Sequence, residues 1–195
     1  MTNASAESTD SGRSPRSRRL FLLTLAVGVL VVVADQLSKW WAVRTLSRES
    51  TVKVIGDAIS LHLTYNPGAA FSSGTSVTWV FTIVSGIAAV AAILIAWRIG
   101  ATGWAIAVGL VFGGATTHFG DRLFRAPGFG RGHVVDFIEY FGLFIGNVAD
   151  IAIVSGACLG VLLVLIGVQL RGGPRAHSRA ARLPLAQPGA NKLKA

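Results

Sequence analysis

Residues 20–41 read LFLLTLAVGVLVVVADQLSKWW. Every residue from Leu20 to Ala34 is apolar or small, and Asp35 and Lys39 then enter one helical turn apart. Arg13, Arg16, Arg18 and Arg19 stand in front of the run. A basic start before an apolar stretch also describes a secretory signal peptide. Here no small-x-small site closes the stretch, and the helical pattern continues through Trp40 and Trp41, so one retained helix over about residues 20–42 is expected. A bilayer's hydrocarbon core takes about 20 apolar residues per helix. This stretch therefore puts the chain in a membrane.

Three further apolar blocks follow, at about 77–97, 101–120 and 148–170. The third contains many small residues, which let helices approach closely. Between the blocks lie two mixed segments, 43–75 and 121–146. Val52–Ile55 and Ile59–Tyr65 are β-branched and partly alternating, and Asn66-Pro67-Gly68 signals a turn. Their backbone polar groups could not lie bare in lipid, so a small β-like element outside the bilayer core is predicted. The fold class that results is an all-α membrane protein. It is a four-transmembrane-helix bundle with a small extracytoplasmic β-like element, flanked by basic tails, 1–19 and 171–195, that read as disordered.

Composition agrees. Hydrophobic residues make up 52% of the 195, mean hydropathy is +0.58, and only 14% of residues are charged, against about 25% in soluble domains. The net charge of +9 sits in tails and short loops beside apolar blocks, which is a topology signal and argues against nucleic acid. With the N-terminus in the cytoplasm, the inside segments hold eleven Lys and Arg and the outside segments six. That balance places both termini inside. Cys158 is the single cysteine, so neither an intrachain disulfide nor a cysteine metal cluster can form. His62, His118 and His133 repeat no ligand spacing, so no metal is expected.

Seven of the nine acids fall at or beyond the outer helix ends: Asp35, Glu49, Asp57, Asp121, Asp136, Glu139 and Asp150. Acids do little to set topology, so their clustering asks for a chemical reason. Asp35 and Lys39 share a helix face and read either as a structural ion pair or as support for a site. Asp121 and Arg122 are adjacent and cannot face each other, which leaves Arg122 to hold a neighbouring carboxylate or a lipid headgroup, or to mark a helix end. Asp136 stands among apolar β-formers, so it is buried with a partner or aimed into a cleft. Asp150 follows Asn147 where the last helix begins, where a cap or first-turn acid suits the helix dipole. If the third and fourth helices are neighbours, Asp136 and Asp150 can meet. Two carboxylates sharing a site do not both ionise easily, and such a pair can activate water and protonate a leaving group.

Together these residues resemble the lipoprotein signal peptidases, the type II signal peptidases of bacteria. Asp35-Gln36-Leu37-Ser38-Lys39 resembles the family's first-helix motif, and Asn66-Pro67-Gly68-Ala69-Ala70-Phe71-Ser72 its Asn-x-Gly-Ala-Ala-Phe loop. Gly113-Gly114-Ala115 through Asp121-Arg122-Leu123 resembles the third-helix motif. Gly132 to Ile138 and Asn147 to Asp150 resemble the two segments that each carry a catalytic aspartate. The resemblance implies an intramembrane aspartic protease that removes the signal peptide from prolipoproteins, cutting just before a diacylglyceryl-modified cysteine. It implies Asp136 and Asp150 as the dyad, with Asn66, Gly68, His118, Asp121, Arg122 and Asn147 lining or supporting the site and Asp35 and Lys39 bracing it. Its partners would be the prolipoprotein and membrane lipids, at the bacterial cytoplasmic membrane. No metal or organic cofactor is implied.

The chain departs from the family's pattern at three places. Thr117 and His118 stand where Gly and Asn are expected, Gly146 stands where Phe is usual, and Ile151 stands where a small polar residue is common. The departures leave a second reading open: a related protein that binds lipoprotein precursors without cutting them. A third reading, a channel with acids lining a pore, fits less well, because the acids gather at one membrane face.

Overall fold

The structure, a computed structural model, describes residues 15–68 and 78–172. Four helices alternate with two pairs of strands: α1 (Pro15–Thr45), β1 (Val52–Ile55), β2 (Ile59–Asn66), α2 (Thr78–Ala96), α3 (Thr102–Phe124), β3 (Val134–Tyr140), β4 (Phe144–Gly146) and α4 (Val148–Leu165). Three of them, α1, α2 and α4, are long and apolar enough to cross a membrane. Their outward faces carry large apolar residues such as Ile83, Ile87, Val90, Val154 and Leu165. That is the reverse of a water-soluble surface and suits contact with lipid.

The elements differ from the sequence expectation at their ends. α1 begins at Pro15, not near residue 20, so the last residues of the basic tail are helical; proline suits a first turn because its missing N–H would be unpaired there. α3 runs on to Phe124, which puts Asp121 and Arg122 inside its last turns and not beyond its end. α4 stops at Leu165, not near 170. There Gly167 takes a positive φ of 73°, its N–H reaches Val164 O, and Val168 N reaches Leu163 O, the paired bonds of a glycine-terminated helix. The segment 121–146 carries two strands that the sequence reading left unassigned. Ala69 to Ser72 of the loop motif lie outside the described residues.

α3 occupies the middle of the bundle and packs along α1, α2 and α4, whereas α1 and α2 scarcely meet. Its small residues make this possible. A Cβ at Gly113 would come within 2.6 Å of Gly28 O on α1, and one at Gly114 within 2.8 Å of Ala149 O on α4. Backbones this close leave no room for a side chain.

The strands form one antiparallel sheet in the order β1-β2-β3-β4. Thr64 pairs with Asp136 and Leu61 with Ile138, so β2 spends one more residue than β3 between those pairs. Such a bulge bends the strand and re-aims its side chains. One face of the sheet packs on the end of α1, where Ala42, Leu63, Val135 and Phe137 form a buried cluster. Strand alternation turns Val134 and Asp136 to the other face.

One ionic cluster ties the helices to each other. Lys39 Nζ lies 2.5 Å from Asp35 Oδ2 and 2.8 Å from Asp121 Oδ2, and all three side chains are at most 2% exposed. Asp35 Oδ1 accepts the backbone N–H of Ala149 at 2.9 Å, which joins α1 to the first turn of α4. Asp121 Oδ1 accepts from Arg125 Nε at 2.7 Å and Gln36 Nε2 at 3.0 Å.

Two variants test these contacts by thermal unfolding in detergent. Gly114→Val forces α3 and α4 apart and lowers stability by about 1–3 kcal/mol, while Gly120→Ala, whose Cβ meets nothing within 4 Å, is tolerated. Lys39→Met leaves buried Asp35 without its cation and Asp121 with Arg125 alone, and costs about 3–5 kcal/mol. An unchanged unfolding midpoint for Lys39→Met would mean that the lysine braces nothing.

Candidate active site

Asp136 leaves the sheet on the side away from the α1 cluster, 2% exposed. Asn66, at the end of β2 and paired in register with Val134, donates from Nδ2 to Asp136 Oδ2 at 2.9 Å. The other oxygen, Oδ1, accepts from Asn147 Nδ2 at 2.6 Å. Burial, and then the negative charge of Asp150, push Asp136 up to about 6 from the ordinary 3.8, against the pull of these two hydrogen bonds.

Asp150 sits in the first turn of α4 and is fixed by a reciprocal cap. Asn147 Oδ1 accepts the N–H groups of Ala149 and Asp150, at 2.9 and 3.2 Å. In return Asp150 Oδ2 accepts the backbone N–H of Asn147 at 2.8 Å. Asp150 Oδ1 faces His118 Nε2 on α3 at 3.0 Å. Asn147 thus donates to both carboxylates, one through its side chain and one through its backbone, and so holds the strand and the helix at a set spacing.

Arg122, one turn beyond His118 on α3, reaches the turn after β2. It donates to Pro67 O at 3.2 Å and to Gly68 O. Gly68 N in turn donates to Asn66 Oδ1 at 2.9 Å, which orients the Asn66 amide toward Asp136. Arg122 therefore holds backbone carbonyls, where the sequence reading offered a carboxylate, a headgroup or a helix end. Its guanidinium also lies 5.3 Å from the centre of the Phe81 ring on α2.

A cavity of about 460 Å³ opens between these groups. Asn66, Gly68, His118, Arg122, Asp136 and Asp150 line one end, and Phe81, Val84 and Ala88 of α2 with Ile153 and Val154 of α4 line the apolar remainder. Asp121, Asp35 and Lys39 lie outside it, in the buried cluster behind. Arg125 and Gln36 were not given a role from the sequence, and Gly146 was noted there only as a glycine where Phe is usual. Arg125 was within reach of the i, i+4 rule from Asp121, but Gln36 carries no signal of its own. Among the described residues no group of His, Cys, Asp and Glu has the arrangement of a metal site.

The chemistry of this cavity agrees with the relatives found for the chain. A family profile described as "Signal peptidase (SPase) II" matches residues 27–166. A protein of Rhodococcus jostii named "Lipoprotein signal peptidase" is 43% identical over 167 residues, which is 83% of each chain. One of the same name from Leifsonia xyli subsp. xyli is 38% identical over 194 residues, 98% of this chain and 89% of its own. A solved structure described as "Bacterial membrane enzyme structure by the in meso method at 2.3 A resolution" superposes with a TM-score of 0.65 at 26% identity, covering 73% of this chain and 87% of the other. The relatives are named as peptidases, and nothing among them supports the reading of a protein that binds without cutting. The chain is a protease and belongs to the signal peptidase II family.

Proposed function

We propose that the chain is an intramembrane aspartic endopeptidase that removes the signal peptide from prolipoproteins bearing a diacylglyceryl-modified cysteine. It would cut just before that cysteine, at the outer face of the bacterial cytoplasmic membrane. One observation carries this reading: Asp136 and Asp150, from different elements, line one cavity whose remaining lining is mostly apolar. A lipidated peptide needs both parts, a dry wall for acyl chain and signal peptide and a polar end for the peptide bond.

The two carboxylates would share one proton, because like charges in one buried site resist ionising together. Asp136, more buried and held up to about 6, would keep it. Asp150, with its side chain 42% exposed to the cavity, would take a proton from water as that water attacks the scissile carbonyl carbon. Asp136 would give its proton to the carbonyl oxygen as the tetrahedral adduct forms. When the carbon–nitrogen bond breaks, the proton gathered by Asp150 would pass to the departing amine of the cysteine, and a hydroxyl proton of the adduct would return to Asp136. Asn66 and Asn147 set the orientation of Asp136, and Arg122 holds the turn that carries Asn66.

α3 would be the fourth membrane helix. Its 23 residues span about 34 Å, and its polar end is shielded because the other three helices surround it. Eleven inside basic residues against six outside support cytoplasmic termini.

Cleavage of a diacylglyceryl-modified prolipoprotein by purified protein in detergent tests the reading. Asp136→Asn and Asp150→Asn each abolish turnover while leaving the unfolding midpoint near that of the parent; turnover surviving in either variant removes that residue from the dyad. The pH dependence is a second check. Protonated Asp136 is the working form, so kcat/KM falls as pH rises through its pKa, and the alkaline limb lies near 6, well above the ordinary aspartate value of 3.8. A limb at the ordinary value would show that Asp136 holds no working proton.

A further inference from the structure

Two residues, His118 and Gly146, converge on one carboxylate. His118 Nε2 lies 3.0 Å from Asp150 Oδ1. A Cβ at Gly146 would lie 2.9 Å from Asp150 Oδ2, the oxygen that accepts the Asn147 backbone N–H. The carboxylate is therefore folded back over the bare backbone of residue 146, with one oxygen on the cap and the other on the imidazole. A side chain at 146 would push it off this position. The glycine makes the pose available, and the histidine holds it.

Resting on the dyad reading above, we propose that His118 is a positioning residue for the Asp150 carboxylate. The charged and titratable groups around His118 and its partner come from every packed element. Asp150 is on α4, Asp136 and the Tyr140 phenol are on β3, Arg122 is on α3 itself, and Lys39 on α1 acts on Asp150. α2 offers no titratable side chain.

The test compares parent, His118→Leu, His118→Gln, Gly146→Ala and Asp150→Asn on a diacylglyceryl-modified prolipoprotein in detergent, with kcat and KM measured across the neutral pH range. Leucine lowers kcat about 10- to 100-fold, the value of one hydrogen bond to a charged group, and leaves KM within about twofold. Glutamine, which can carry an N–H close to the place of Nε2, recovers most of that loss. Gly146→Ala lowers kcat in the same sense as leucine at 118. Parent-like kcat and pH profile in His118→Leu, with Asp150→Asn inactive, overturn the role of His118 and leave the dyad standing. Cleavage by Asp150→Asn overturns the dyad reading itself. Should the leucine variant fail to fold, Gly146→Ala decides, and a parent-like kcat in that variant overturns the inference.

Discussion

A lysine with no exposed surface, held between two carboxylates, is the constraint around which this molecule is arranged. Removing three charges from water is expensive, and in this setting they persist because each meets an opposite charge at short range. The cluster gains its structural meaning from what its oxygens do with their remaining capacity. Asp35 spends one on a backbone N–H in the first turn of α4, and Asp121 spends one on Arg125 and Gln36. The relative height of α1, α3 and α4 is thereby fixed at the level where α4 begins. Small residues along α3 then allow the close backbone approach that brings the charges into register.

The candidate site inherits that rigidity. Asn147 stands two residues before the N–H held by Asp35, and it donates to both Asp136 and Asp150. A shift of α4 would change both contacts at once. The sheet supplies the complementary restraint, because Asp136 is carried on a strand whose other face is locked onto the end of α1. The two carboxylates thus belong to parts of the protein that are each anchored to α1, though by different means: one through buried charge, the other through apolar packing.

The cavity has an uneven character that suits chemistry at a membrane boundary. Asn66, His118, Arg122, Asp136 and Asp150 supply donors and acceptors, and α2, α4 and the sheet supply apolar lining such as Phe81, Ile153 and Phe144. Within the polar end, the two aspartates experience different surroundings. Asp136 is enclosed and hydrogen-bonded by neutral amides, whereas Asp150 is more open and faces an imidazole and a helix N-terminus. Two like groups in unlike environments are how one acid and one base arise from a single residue type.

Much of this was legible in the sequence. The apolar runs gave helices at close to the right places, because about 20 apolar residues leave the backbone no other way to satisfy its polar groups in lipid. The Asp35–Lys39 spacing announced a shared face, and the family resemblance pointed to Asn66, Arg122, Asp136 and Asp150, which line one cavity, and to Asp121, which lies behind it. The ends of α1, α3 and α4 were less legible, since caps and local turns decide them, as Gly167 does for α4. What the sequence could not express is any relation that crosses elements. That Lys39 also meets Asp121, that Arg122 grips carbonyls of another segment, and that His118 and Gly146 act on the same carboxylate all depend on which helices are neighbours and at what height. Local spacing determines which side chains share a face of one element, but only packing determines which faces meet.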